Sequence, residues 1–229
     1  MWKSLVVSAY TFKFHIIMKP TKKYVTQILE ILHQEYENPK TELENWKTPE
    51  EFMVAVILSA QATDKGVNKV TKALFEKYKS PKDFANAKPE DVAKLIKSIN
   101  YYKTKAKRII DANKFVVENY GGKLPADIDK LVKIPGIGRK SANVILHETL
   151  ETSQGIVVDT HVKRVSYRLG LTKETDSEKV EQDLMKIIPK EEWGFFSTAI
   201  VLHGRYVCKA KNPDCENCAL KKICKKVEI

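Results

Sequence analysis

All four cysteines of the chain fall in one short stretch near its C-terminal end, Cys208, Cys215, Cys218 and Cys224, with the spacing C-x6-C-x2-C-x5-C. Thiolates suit zinc or an iron–sulfur cluster. Structural zinc sites commonly pair two close cysteines with two more roughly a dozen or more residues away. The longest gap here is six residues, so four thiolates crowd one compact loop. That favours a [4Fe–4S] cluster, whose four irons each take one cysteine; a single zinc is the alternative. Disulfide scaffolds scatter cysteines over small secreted chains, and this chain is 229 residues long without an export signal. Lys209, Lys211, Lys221 and Lys222 lie within or beside the cage, which makes the loop a phosphate-facing surface.

A second group of residues lies between Leu131 and Val144. An apolar helix end runs into Pro135, Gly136 and Gly138 flank Ile137, and a new helix starts at Arg139 and Lys140. Glycines permit positive φ and bring the backbone close to a ligand. The free N–H groups of a helix start bind phosphate oxygens without reading sequence. Lys140 sits in the first turn of that helix, where the dipole's positive end and Arg139 disfavour an ammonium and favour a nucleophilic amine. A plain helix–turn–helix corner, or a non-catalytic DNA-binding module, would use the same glycines.

The elements that must position these groups read as helices throughout. The formal charge is +11, from 40 Lys plus Arg against 29 Asp plus Glu; that points to a polyanion, most simply nucleic acid. No stretch reaches the ~18 apolar residues of a membrane span. Residues 1–17 form a poor signal peptide and read as an N-terminal extension. Apolar periodicity predicts helices over 21–36 and from Phe52 to Ala60, the latter apolar on every face behind a Thr48-Pro49-Glu50-Glu51 capping box. Shorter helices are predicted around Val67–Tyr78, after Ser80-Pro81 and after Lys88-Pro89, the last running to about Ile99. A long helix follows from Thr104 to about Tyr120, then hairpin helices over 127–133 and 139–150, and further helices after Asp159, over 176–188 and over 191–206. Thr160 reads as the cap of the helix after Asp159. With almost no strand periodicity, the fold class is all-α.

Four stretches, in this order, carry a resemblance to the endonuclease III family of DNA glycosylases: Leu58-Ser59-Ala60-Gln61-Ala62-Thr63-Asp64, the Pro135–Lys140 hairpin, Val158-Asp159-Thr160-His161-Val162, and the cysteine cage. The resemblance spans residues 20–226 and implies two helical domains with a cleft between them. One, over 42–153, is a six-helix domain with the helix-hairpin-helix; the other, over 18–41 plus 154–229, carries the iron–sulfur cluster. It implies a bifunctional base-excision enzyme that removes oxidised pyrimidines from duplex DNA and cleaves the strand by β-elimination. Lys140 would be the nucleophile and Asp159 the carboxylate in the cleft. The DNA-contacting residues would be Gln61, Tyr101, Pro135, Gly136, Ile137, Gly138, Arg139 and the four cage lysines, and the cofactor a [4Fe–4S] cluster. Gln61 inherits the role of a wedge that fills the place of the extruded base, against the plainer reading of a helix-closing glutamine. Asn100-Tyr101 departs from the family's usual glycine–leucine pair; Tyr101 either stacks on a base or packs on the surface. Asp159 could equally cap its own helix. The 8-oxoguanine branch also uses a lysine but commonly lacks the cysteine cage. The protein is expected to act as a monomer on double-stranded DNA, away from membranes, in the cytoplasm and at the nucleoid if it is prokaryotic.

Overall fold

The computed structural model describes residues 20–150 and 152–227; the expected extension at residues 1–17 lies outside them. Among the described residues the regular structure is entirely helical. In chain order the helices are α1 (Lys22–Glu35), α2 (Pro49–Ser59), α3 (Asp64–Lys77), α4 (Pro81–Ala85), α5 (Pro89–Leu95), α6 (Tyr102–Tyr120), α7 (Ile128–Leu131), α8 (Arg139–Leu150), α9 (Thr160–Arg168), α10 (Ser177–Ile187) and α11 (Trp193–Tyr206).

The local chemistry explains most of the boundaries. Thr48 accepts the Glu51 N–H at 3.2 Å, and the Glu51 carboxylate reaches back to the Lys47 N–H at 2.6 Å. The predicted capping box therefore closes one residue early. Every residue from Phe52 to Leu58 is buried, as an all-apolar helix requires. α2 packs against α3, α6 and α8, which makes it the central pillar under the hairpin. Burying side chains the size of Phe52 or Leu58 contributes about 1.5–3 kcal/mol each.

Buried apolar residues divide into two cores. One draws on Leu43 and then on Phe52 through Leu146. The other combines Val25, Ile28, Leu29 and Leu32 of α1 with Ile156 through Leu220. Among the described residues, α1 thus joins one core, the middle of the chain builds the other, and the chain then returns to the first.

Four expected boundaries shift, one of them the start of α6, which begins at Tyr102 and not at Thr104. α5 stops at Leu95, and Ile99 N–H bonds Ile96 O at 2.9 Å in a tight turn that buries both isoleucines. The first hairpin helix is the single turn Ile128–Leu131. Beyond it Lys133 and Ile134 donate three residues back, to Lys130 and Leu131, since Pro135 disfavours the α conformation for the residue before it. Finally, Asp159, not Thr160, caps α9, and Thr160 is its first helical residue.

Candidate active site and nucleic-acid interface

Lys140 and Asp159 line one cleft, with a cavity volume of about 130 Å³. Each stands at a helix start: Lys140 in the first turn of α8, Asp159 at the cap of α9. Asp159 accepts the N–H groups of His161 and Val162 at 2.7 and 2.8 Å, both through Oδ1. Capping therefore occupies one oxygen and leaves Oδ2 for the cleft, so the two roles weighed for Asp159 do not exclude each other.

Between apolar residues such as Val144, Val157 and Val201, the cleft carries further polar side chains, most of them not legible as site residues. Arg205 on α11 pairs with Asp64 at 2.6 Å and with Glu42, and the Tyr206 hydroxyl also bonds Glu42. Asp64 does carry a sequence signal, since it closes the Gln61-Ala62-Thr63-Asp64 string. Glu148 lies two helical turns beyond Lys140 on α8; it accepts from Thr41 N–H and from Thr198 Oγ1, each at 3.3 Å. Burial pushes its carboxyl above the usual range. Beside it, burial pushes the His147 imidazole below its usual range.

At the hairpin, Gly136 has φ +86°, the left-handed conformation that glycine permits. Gly138 has no positive φ, and a Cβ there would meet nothing within 4 Å. Ile137 is buried, and its N–H bonds Ile134 O at 3.0 Å. It therefore anchors the hairpin from inside rather than offering a side chain or an N–H outward. The first bond of α8 runs from Ala142 N–H to Gly138 O at 2.9 Å, so Arg139, Lys140 and Ser141 have no N–H partner inside the helix. Pro135, Gly136, Gly138, Arg139 and Lys140 are all exposed. The Arg139 side chain is not free, because it is ion-paired with Glu181.

Gln61 and Tyr101 are exposed, and both have left-handed backbones, φ +53° and +57°. Such a conformation costs a non-glycine residue about 1–2 kcal/mol. Tyr101 is 68% exposed.

The four cysteines border one pocket with the apolar side chains of Val165, Leu169 and Leu220. Among the described residues, no three His, Cys, Asp or Glu groups converge closely enough to hold one metal ion. Donors face the sulfurs: Arg168 Nη1 to Cys208 Sγ at 3.4 Å and Lys226 N–H to Cys224 Sγ at 3.4 Å. Arg168 also bonds the carbonyls of Lys209 and Ala210, and Arg164 bonds those of Gly204 and Cys208. These two arginines, one turn apart on α9, pin the entry to the cysteine loop; in sequence they are only two among many cations. Lys209, Lys211, Lys221 and Lys222 are exposed, and Lys221 pairs with Glu216 at 2.8 Å.

A match to the family of HhH-GPD superfamily base excision DNA repair proteins covers residues 54–190. The chain belongs to that superfamily. Within it, it is a member of the endonuclease III family. It is 44% identical over 207 residues to an endonuclease III of Synechocystis, covering 90% of this chain and 94% of the relative. It is 48% identical over 178 residues to that of Bacillus subtilis, covering 77% and 81%. Among solved structures it resembles a trapped endonuclease III–DNA covalent intermediate (TM-score 0.83, 42% identity), over 90% of this chain and 96% of that one. In this endonuclease III-family chain, the hairpin and the cleft residues Lys140 and Asp159 fall within the matched residues 54–190. Among the described residues, no helix is long and apolar enough to cross a membrane.

Proposed function

We propose that this base-excision repair protein is a DNA glycosylase and AP lyase that excises oxidised pyrimidines from duplex DNA, with Lys140 as the amine nucleophile and Asp159 as its partner carboxylate. The observation that carries the assignment is the shared cleft of Lys140 and Asp159 beside a hairpin with unpartnered N–H groups. The open space around Gly138 adds to it. No packing inside the protein requires glycine there, whereas a phosphate backbone drawn up to those N–H groups does.

In this mechanism the hairpin and the basic cysteine loop grip the duplex, and Gln61 and Tyr101 fill the space left by the extruded base. The free amine of Lys140 attacks C1′ and the base departs with the bonding electrons. The Asp159 carboxylate stabilises the positive charge that develops on the sugar. Ring opening gives a Schiff base on Lys140, and loss of a C2′ proton expels the 3′ phosphate. We further assign residues 42–153 to a hairpin domain and residues 18–41 plus 154–229 to a cluster domain; the two separate cores support this division. The protein acts as a monomer on double-stranded DNA.

Cys208, Cys215, Cys218 and Cys224 would hold a [4Fe–4S] cluster. Four thiols around a shared apolar pocket, with N–H donors aimed at sulfur, fit such a group. The cluster's contribution is a rigid, basic loop, and no step of the reaction runs through it.

Borohydride trapping on a duplex with one oxidised pyrimidine tests the assignment. Wild type should be captured covalently on DNA, and Lys140→Gln should not, while keeping most of its DNA affinity. Trapping of Lys140→Gln at the wild-type level would remove Lys140 as nucleophile. No trapping of wild type on any lesion would favour a non-enzymatic hairpin module.

A further inference from the structure

The start of α6 and the end of α2 are tied together by three hydrogen bonds from side chains to main-chain carbonyls. Asn100 Nδ2 donates to Gln61 O at 3.0 Å. Lys105 Nζ donates to Leu58 O at 2.8 Å and to Ala60 O at 2.6 Å. Lys105 is only 2% exposed, and a buried ammonium is tolerated only where it is hydrogen-bonded. It serves the last carbonyls of α2, which lack partners within their own helix. Burial, with Arg108 nearby, holds the lysine below its usual range, yet both of its bonds are donations that suit the ammonium.

The two left-handed residues, Gln61 and Tyr101, stand directly on this joint. Strained non-glycine conformations persist when their surroundings over-determine them, and they gather at functional sites. Neither side chain gains burial in return, since both are exposed. What the joint fixes is the backbone from which two exposed side chains, about forty residues apart in the chain, project. A prong already fixed loses less conformational freedom when it enters a duplex than a mobile one does.

We infer that Asn100 and Lys105 are positioning residues that hold Gln61 and Tyr101 as one rigid two-pronged insert, entering the duplex as a unit. The inference rests on the reading of Gln61 and Tyr101 as wedges. Asn100 is the informative member, because it is exposed and its removal leaves both cores intact.

The experiment uses the full chain with Asn100→Gly, Asn100→Asp, Gln61→Ala and the Asn100→Gly/Gln61→Ala double variant. Each is assayed under single-turnover conditions on a duplex with an oxidised pyrimidine and on the same duplex with a preformed abasic site. Asn100→Gly and Asn100→Asp should each slow base excision, on the order of tenfold, while abasic-site cleavage and the urea midpoint stay near wild type. In the Gln61→Ala background, Asn100→Gly should add little further loss, since coupled residues depart from additivity. Equal slowing on both substrates, or full additivity with Gln61→Ala, would overturn the inference. If Gln61→Ala itself spares excision, the wedge reading falls and the inference with it. If Gln61→Ala slows excision and neither Asn100 variant does, the inference alone falls.

Discussion

Arg139 and Glu181 form a two-point ion pair, Nε to Oε2 at 2.9 Å and Nη2 to Oε1 at 3.2 Å, that fastens the start of α8 to α10. Glu181 is buried, and its Oε1 also accepts from Asn143 Nδ2 at 3.1 Å. The residue just before Lys140 is thereby held in place by α10. Glu181→Gln keeps the shape but loses the charge. Because the Arg139 side chain is 47% exposed, solvent screens the pair, and the loss should be about 1–2 kcal/mol of unfolding free energy. Urea denaturation gives the number; an unchanged midpoint would mean that the pair is neutral.

Asp159 separates charge from capping. Asn caps as well as Asp does, so Asp159→Asn should fold with near-wild-type stability and slow base release while DNA binding persists. Asp159→Ala should lose about 1 kcal/mol of stability in addition. Single-turnover excision and thermal melts on the two variants check this. Equal stabilities would mean that the bonds to His161 and Val162 N–H carry no weight.

His147 and Glu148, adjacent on α8, bias stability with pH in opposite directions. His147 has its imidazole pushed below its ordinary value of 6.5 by burial, so the unfolded chain binds the extra proton first. Its contribution is full above that pH and is lost as pH falls towards the folded value. Glu148 is raised above its ordinary 4.5 by burial, so its contribution is present below that pH and is lost as pH rises through the folded value. Each variant is compared with wild type between the two ordinary values, 4.5 and 6.5, where groups common to all three proteins, His203 among them, cancel. His147→Asn should become less stable with rising pH relative to wild type, and Glu148→Gln more stable. Urea midpoints across that range decide it, and parallel curves for all three would remove both assignments.

The cage lysines should not weigh equally. Lys221 is engaged by Glu216, whereas among the described residues Lys211 and Lys222 are in no such ion pair. Neutralising Lys211 or Lys222 should reduce the slope of log K against log salt by about 0.9 if each meets a phosphate; neutralising Lys221 should reduce it less. Affinity measured over a salt series tests this, and identical slopes for Lys221→Gln and Lys222→Gln would contradict it.

Purified protein should carry iron and acid-labile sulfide and absorb broadly near ~400 nm, as thiolate-ligated clusters do. Cys218→Ser should lower both the iron content and the resistance to proteolysis of the loop after Val207. One zinc per chain, without sulfide, would replace the cluster by a zinc site and leave the Lys140 chemistry untouched.

The sequence by itself determined the helical class and the order of the elements, and it singled out the candidate site residues. Helical periodicity, proline starts and side-chain caps act within a few residues, as at Thr48, Ser80 and Gly121. The four-cysteine pocket was legible for the same reason, since its thiols lie close together in the chain. Only the tertiary structure decided what distant segments do to one another. It brings Glu42, Asp64 and Arg205 together in the cleft, closes Arg139 onto Glu181, and sets Asn100 and Lys105 against the end of α2. It also assigns Ile137 to the core, which no local rule could do beside two exposed glycines. These pairings depend on how segments distant in the chain pack into two cores, with no periodicity or spacing to announce them.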